Sequence, residues 1–266
     1  MQKPRKPTHA TVTRFIACIL PAKDNDVPRL YHVPQNPRYN AETAVVDQIV
    51  LSVTTTPGVY SVIGHTPDDA NGDVSGRHYT ARPRPPRTLC FLHRPFNLDR
   101  HSVRKGTLVL SSHTSFDEVL TVGWNNELAE RLGMTVANSL YEFGEAELTH
   151  SGLSDDIQAV AIMNAFNEGE VQRVLEIALQ RGWAAAGDEA PGRHLLYLTG
   201  QPRVSGLDAA KALGMTVACV GHRPAEDWGI RYLAARLRLA FPSVPVEEIY
   251  EAEEPRGKEQ KEGKVQ

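Results

Sequence analysis

Apolar and polar residues run along the 266-residue chain in blocks of differing period. Val12, Phe15, Ile16 and Ile19 make Ala10–Leu20 a β-rich run. Pro21, Pro28, Pro34 and Pro37 then predict a loop over 21–40. Val45, Val46, Ile49, Val50 and Val53 recur at helical spacing, so a helix is predicted over Ala41–Val53 with Asn40 as its cap. Val59–Ile63 reads as a short strand, followed by a polar loop from Gly64 to Gly76. Two apolar runs follow, Thr88–Leu92 and Thr107–Leu110. A helix is predicted over Asn125–Leu132, capped by Asn125 and stopped at Gly133. Residues 138–153 show no clear period. Ser154–Phe166 and Gly169–Arg181 both read as helices, the second with a stripe of Val171, Val174, Leu175, Ala178 and Leu179. A loop is expected over Gly187–Gly192. The last third reads strand, helix, strand, helix, strand over Leu195–Thr199, Ser205–Leu213, Met215–Val220, Ala225–Ala240 and Val246–Tyr250. That alternation argues for a layered α/β architecture.

Composition narrows the class. Hydrophobic residues are 41% of the chain, enough for a buried core. The length fits one large domain or two lobes, and the boundaries read as a tail over 1–9, a body over 10–250 with lobes near 10–135 and 136–250, and a tail over 251–266. That last segment has five acids, four bases and almost no apolar side chain, which predicts disorder. No apolar run reaches the roughly 18 residues of a membrane helix. Lys and Arg number 29 against 32 Asp and Glu, a net charge of −3, so binding nucleic acid through overall charge is disfavoured. Cys18, Cys90 and Cys219 each lie in an apolar run and read as three buried thiols. The basic N-terminus MQKPRKPTHATVTR lacks the apolar segment of a secretory signal. A cytoplasmic location is expected, with the nucleus left open. One local bias stands out: Tyr79–Lys105 holds seven basic residues (Arg82, Arg84, Arg87, Arg94, Arg100, Arg104, Lys105) against Asp99 alone. It reads either as a solvated loop or as an anion funnel.

Histidine placement carries the chemistry. TLCFL ends at His93, TLVLSS at His113, and TVACVG at His222. Ligands of α/β sheets collect beyond the carboxyl ends of strands, so these three can meet in one crevice. His113 precedes Asp117 by four residues, and His222 precedes Glu226 by four. On a helix such pairs share a face, and imidazole with carboxylate suits Zn, Mn or Fe. A single histidine at a strand end more often caps or faces solvent; the repetition supports a metal. His65, followed by Asp68 and Asp69, is left as a further candidate. His9, His32, His78, His101, His150 and His194 read as surface residues.

The segment VLSSHTSFDEVLTVGWNNELAERLGM, Val109–Met134, resembles the NIF-three-like family (Ngg-one-interacting factor three). The family's HT-x-x-D motif falls on His113, Thr114 and Asp117, and its Gly-x-Asn turn on Gly123, Trp124 and Asn125. Its G-H-x-x-x-E motif falls on Gly221, His222 and Glu226. Its HHP motif appears as His93-Arg94-Pro95. The resemblance covers roughly 88–134 and 195–250 and weakens elsewhere. It implies a two-lobed α/β fold with mixed sheets flanked by helices, a two-metal centre, and ring-shaped homo-oligomers. Carried over, one ion would use His93, His222 and Glu226. The other would use Asp117 and Glu226 with the second histidine of HHP, where this chain has Arg94. A guanidinium has no lone pair to offer, so one or two ions per chain remain open. Gln201 also stands where the family tends to have an acid.

These residues point to a metal-dependent, hydrolase-like protein. Asp117 or His113 would orient a water or shuttle its proton, and Arg94 would hold an anion such as a nucleotide or phosphoester. Some family members carry the label of a GTP cyclohydrolase type-two homologue, which does not itself specify a reaction. No Walker-type loop is present. The rival reading is a non-catalytic scaffold for a transcription-related protein partner, with a degenerate metal site. A nucleic-acid binder is disfavoured because only Tyr79, Phe91 and Phe96 interleave the basic segment.

Overall fold

The computed structural model describes residues 6–65, 86–121, 126–131, 140–142, 146–150, 157–163, 165–184, 187–201 and 203–252. The first half contains α1 (His9–Ile19), β1 (Leu30–His32), β2 (Gln48–Thr54), α2 (Pro57–Ile63), β3 (Thr88–Arg94), β4 (Leu108–Ser111), α3 (Thr114–Leu120) and α4 (Asn126–Arg131). The second half contains β5 (Leu140–Glu142), β6 (Ala146–His150), β7 (Ala159–Met163), α5 (Glu168–Gln180), β8 (Leu195–Thr199), α6 (Val204–Ala212), β9 (Thr216–Cys219), α7 (His222–Ala240) and β10 (Val246–Ile249).

Among the described residues, two five-stranded mixed sheets are flanked by helices, as expected. The first has the order β1-β4-β3-β2-β10, and the second β5-β6-β7-β8-β9. In the first, β10, β2, β3 and β4 are parallel neighbours, and only the edge strand β1 is antiparallel. Its central strands are buried on both faces, which is why they read as continuous apolar runs. Ile49, Leu51, Val53, Leu89, Phe91, Leu108 and Leu110 form one face, packed on Val12 and Ile16 of α1, Phe116 and Leu120 of α3, and Leu233 and Leu237 of α7. Val50, Cys90, Leu92 and Val109 form the other, packed on Val59 and Ile63 of α2. The second sheet packs Ala159, Ala161 and Tyr197 against α5 and α6.

Helix α7 and strand β10 give the chain its return path. Ala225, near the start of α7, packs with Val160, Ile162 and Leu198 of the second sheet. Ile230, Leu233, Ala234 and Leu237, further along, pack in the core of the first. The lobe expected over 136–250 thus gives its last helix and strand to the first sheet.

Several local expectations are corrected. Residues 10–20 are helical, not a strand: Val12, Ile16 and Leu20 are buried at a spacing of four, and Thr8 accepts the Thr11 N–H as an N-cap. The helix predicted over 41–53 is a short turn followed by β2, because QIVLSVT is buried on both faces rather than along one stripe. Val59–Ile63 is helical, started by Thr56 as cap and Pro57 in the first turn. Within the helix predicted over 154–166, Ala159–Met163 is strand β7, a run of five buried residues, and residues 154–156 and 164 lie outside the described ones. Asn125 and Gly133, the expected cap and stop, lie outside the described residues. The five elements of the last third, the Gly187–Gly192 loop and α5 all form where the pattern places them. Cys90 is buried, whereas Cys18 and Cys219 are exposed, against the expectation of three buried thiols. Within the expected tail, Glu251 is fixed by accepting the Gly58 N–H at 2.8 Å, and residues 253–266 lie outside the described ones.

Candidate metal centre

Strand alternation sets the position of His93. Leu89, Phe91 and His93 share the face of β3 that α1, α3 and α7 cover, so His93 enters a closed space at the strand's carboxyl end. It is fully buried and stacks on Phe116 of α3, ring centroids 4.4 Å apart. Its Nδ1 lies 3.1 Å from the Ser112 carbonyl oxygen. A proton on Nδ1 satisfies that carbonyl and leaves Nε2 with its lone pair, the tautomer a metal requires.

Two carboxylates face that nitrogen. Asp117 Oδ1, from α3, is 3.4 Å away, and Glu226 Oε1, from α7, is 3.3 Å away. His113 Nδ1 lies 3.3 Å from Asp117 Oδ2, and His222 Nε2 lies 3.2 Å from Glu226 Oε1. Both i, i+4 pairs therefore form, and the three strand-end histidines reach one cluster. His93, His113 and Asp117 each offer a ligand atom within 4.8 Å of the others and can together hold a metal ion. His93 Nε2, Asp117 Oδ1 and Glu226 Oε1 are buried with no hydrogen-bond partner among the described residues. Three ligand-type atoms left unsatisfied beside one another fit an ion between them. Burial alone would lower the pKa of His93, but Asp117 and Glu226 outweigh it and push it up to about 9. Burial likewise opposes charge on Asp117, yet the neighbouring imidazoles of His113 and His93 hold its carboxyl far below the usual carboxylate range. A proton on His93 and a metal ion thus compete for the same place.

Arg94 reaches the same cluster. Its Nε lies 3.2 Å from Glu226 Oε1, and its Nη2 donates to Oε2 at 3.3 Å. The guanidinium fork pairs with Glu226.

The scaffold behind the donors is specific. Asp26, in the long loop, accepts the N–H groups of His113 at 2.7 Å, Thr114 at 3.0 Å and Ser115 at 3.3 Å, and the Ser112 hydroxyl at 2.9 Å. It anchors the first turn of α3 and, through it, the bearing of His113 and Asp117. Burial opposes ionisation of Asp26, and these hydrogen bonds more than offset it, lowering its pKa. Sequence reading missed Asp26, since nothing local marks a partner 87 residues away. On the other side, Gly221 has φ +88 at the turn into α7. A Cβ at Gly229 would stand 2.6 Å from Phe116 Cζ and 2.9 Å from the Leu120 carbonyl oxygen, so glycine lets α7 lie directly on α3. Glu226 is a fully buried acid on the helix face that otherwise carries Ala225, Gly229, Ile230 and Leu233.

The remaining candidates sit elsewhere. His65 is exposed, with its backbone N–H on the Ser102 carbonyl. His9, expected at the surface, is fully buried beside Tyr39. The described part of the basic segment divides: Arg94 joins the cluster, Arg100 stacks over Tyr31, Arg104 is buried beside Thr88, and Arg87 and Lys105 line a cavity away from the metal centre. Tyr79, Arg82 and Arg84 lie outside the described residues.

Comparison with known proteins agrees with this layout. The model of the Duf34/NIF3 (NGG1p interacting factor 3) family matches residues 97–255, a stretch holding His113, Asp117, His222 and Glu226 but beginning just after His93 and Arg94. Protein ybgI, of unknown function, shares the fold with a TM-score of 0.57 at 13% identity, over 91% of this chain and 97% of that one. Reduced HcgD from Methanocaldococcus jannaschii gives 0.54 at 14% identity, over 92% and 99% of the two chains. A Bacillus cereus protein related to NIF3 gives 0.53 at 11%, over 95% and 99%. No curated protein matches in sequence. With the family model matching more than half of the chain and the fold shared with a NIF3-related protein, the chain belongs to the Duf34/NIF3 family.

Proposed function

We propose that the protein is a divalent-metal-dependent, hydrolase-like protein acting on a nucleotide or another phosphoester. The observation that carries this reading is the set of unsatisfied buried atoms, His93 Nε2, Asp117 Oδ1 and Glu226 Oε1. His93, Asp117, His222 and Glu226 would hold the ion, Zn, Mn or Fe, at one or two per chain. When bound, such an ion supplies Lewis acidity and lowers the pKa of a coordinated water. His113, about one-third exposed and in contact with Asp117, is placed to take a proton from water and pass it to solvent. Asp117 orients that imidazole. Arg94, partly exposed and held beside Glu226, would supply positive charge for a phosphoryl oxygen. A ring-shaped homo-oligomer working in the cytoplasm or nucleus completes the reading.

The Arg94–Glu226 pair favours a second reading. A fixed positive charge where a second ion would sit suits a scaffold that keeps the fold for a protein partner. Metal content separates the two readings. Untagged protein and His222→Ala would be measured by inductively coupled plasma mass spectrometry. About one ion per chain in the first and none in the second supports the metal-dependent reading. No metal in either, after reloading with Zn, Mn or Fe, favours the scaffold.

A further inference from the structure

A second cavity lies at the opposite end of the first sheet. It has a volume of about 520 Å³, within the range of small-molecule sites. Arg87 immediately precedes β3, and Lys105 and Gly106 precede β4, so the cavity sits at the amino ends of strands whose carboxyl ends carry His93 and His113. Five strand residues separate Arg87 from His93, which sets the two places roughly 15–20 Å apart. None of the residues lining it belongs to the metal centre.

Its chemistry is one-sided. Among the described residues, Arg38, Arg87 and Lys105 line it and no Asp or Glu does. Among the described residues, no ion pair engages these three cations. The carboxylate of Asp47 is already taken by Lys6 Nζ at 2.9 Å and the Arg87 backbone N–H at 3.0 Å. His9, wholly buried, also lines the cavity. Its Nδ1 lies 3.0 Å from the Tyr39 hydroxyl, and its Nε2 has no partner among the described residues. A buried imidazole nitrogen without a partner is uncommon in a native core, and a ligand group is one way to satisfy it. Burial, then the nearby Arg87 charge, lowers the pKa of His9 to about 4, so it meets a ligand as a neutral ring. Pro34, Pro37 and the Tyr39 ring supply apolar wall for the rest of a small molecule.

We infer that this cavity binds a small organic phosphate, its phosphoryl group held by Arg87 and Lys105 and its body lying against Pro34, Pro37 and Tyr39. The site is separate from the metal centre and independent of it. Guanidinium and ammonium groups together match a phosphoryl head, and the cavity is larger than a bare phosphate needs.

The test is calorimetric titration of the full chain with ribose 5-phosphate and with ribose, in low salt, with and without a chelator. The variants are Arg87→Gln and Lys105→Gln, with His222→Ala as the metal-centre control. Lys105 lies in an exposed turn, so its variant keeps the fold. The expected result is saturable binding of ribose 5-phosphate, insensitive to chelator and to His222→Ala. Each cavity variant should weaken it about tenfold, and ribose should bind at least tenfold more weakly. The inference is overturned by no saturable binding up to about 10 mM, by equal binding of ribose, or by unchanged affinity in both cavity variants. Loss of binding in His222→Ala would also overturn it, by moving the ligand to the metal centre.

Discussion

Arg94 pairs with Glu226: its Nη2 donates to Oε2 at 3.3 Å, and its Nε lies 3.2 Å from Oε1 without a hydrogen bond to it. The same Oε1 faces His93 and His222. Glu226 is thus divided between a fixed cation and the atoms suited to a metal. Arg94→His removes the fixed charge and adds a ligand. Metal content should rise from about one toward two ions per chain, read by mass spectrometry of untagged protein. No increase would mean that the crevice departs from a two-ion site at more than this residue.

Asp26 holds the first turn of α3 from a distant loop through three backbone N–H groups and one hydroxyl. Asp26→Ala leaves those donors without their acceptor. The expected loss is about 2 kcal/mol in urea unfolding. Metal affinity should fall about tenfold as well, because His113 and Asp117 lose their bearing. A variant with unchanged affinity would show that α3 keeps its pose without this anchor.

Gly229→Ala tests the contact between α7 and α3. The added methyl would meet Phe116 Cζ at 2.6 Å and the Leu120 carbonyl oxygen at 2.9 Å, and Phe116 has little room to move because it stacks on His93. The expected cost is about 1–3 kcal/mol, with reduced metal occupancy as Glu226 is carried away from His93. Full stability by thermal melting, with normal occupancy, would contradict this account.

His9 makes the fold sensitive to acid. Its folded pKa is lowered to about 4, from an ordinary 6.5, by burial and then by Arg87. Between those values the unfolded chain binds more protons than the folded one, so stability rises with pH across that window. Its contribution is complete above about 6.5 and is lost as pH falls toward 4, on the order of 3 kcal/mol in all. Denaturant unfolding at a series of pH values should show this slope, and His9→Gln should flatten it. An equal slope in both proteins would assign the effect to other groups.

How far this could be read from the sequence depends on where each partner lies. β8 to β10 are bounded by turns and alternate with long helices, so local pattern settles them. Residues 10–20 and 41–53 differ from their local pattern because β-branched residues occur at spacings that fit both periods, and burial decides between them. His93 and His113 were legible because the parallel neighbours β3 and β4 deliver their ends to one place; His222 follows β9 of the second sheet and joins them through Glu226 on α7. Glu226 stood out through its spacing to His222. The Arg94–Glu226 pairing spans 132 residues, and the Asp26 anchor 87, so neither leaves a local trace.

Helix α7 has Ala225 seated on the second sheet and Leu233 on the first, with Glu226 at the crossing. His93 belongs to the first sheet. An ion shared by His93 and Glu226 would therefore tie β3 to α7 where that helix leaves the second sheet, lowering the free energy of their packing by its own binding energy. Any shift of α7 along Phe116 would part the two ligands, so metal occupancy would serve as a gauge of how α7 is seated on α3 and β3.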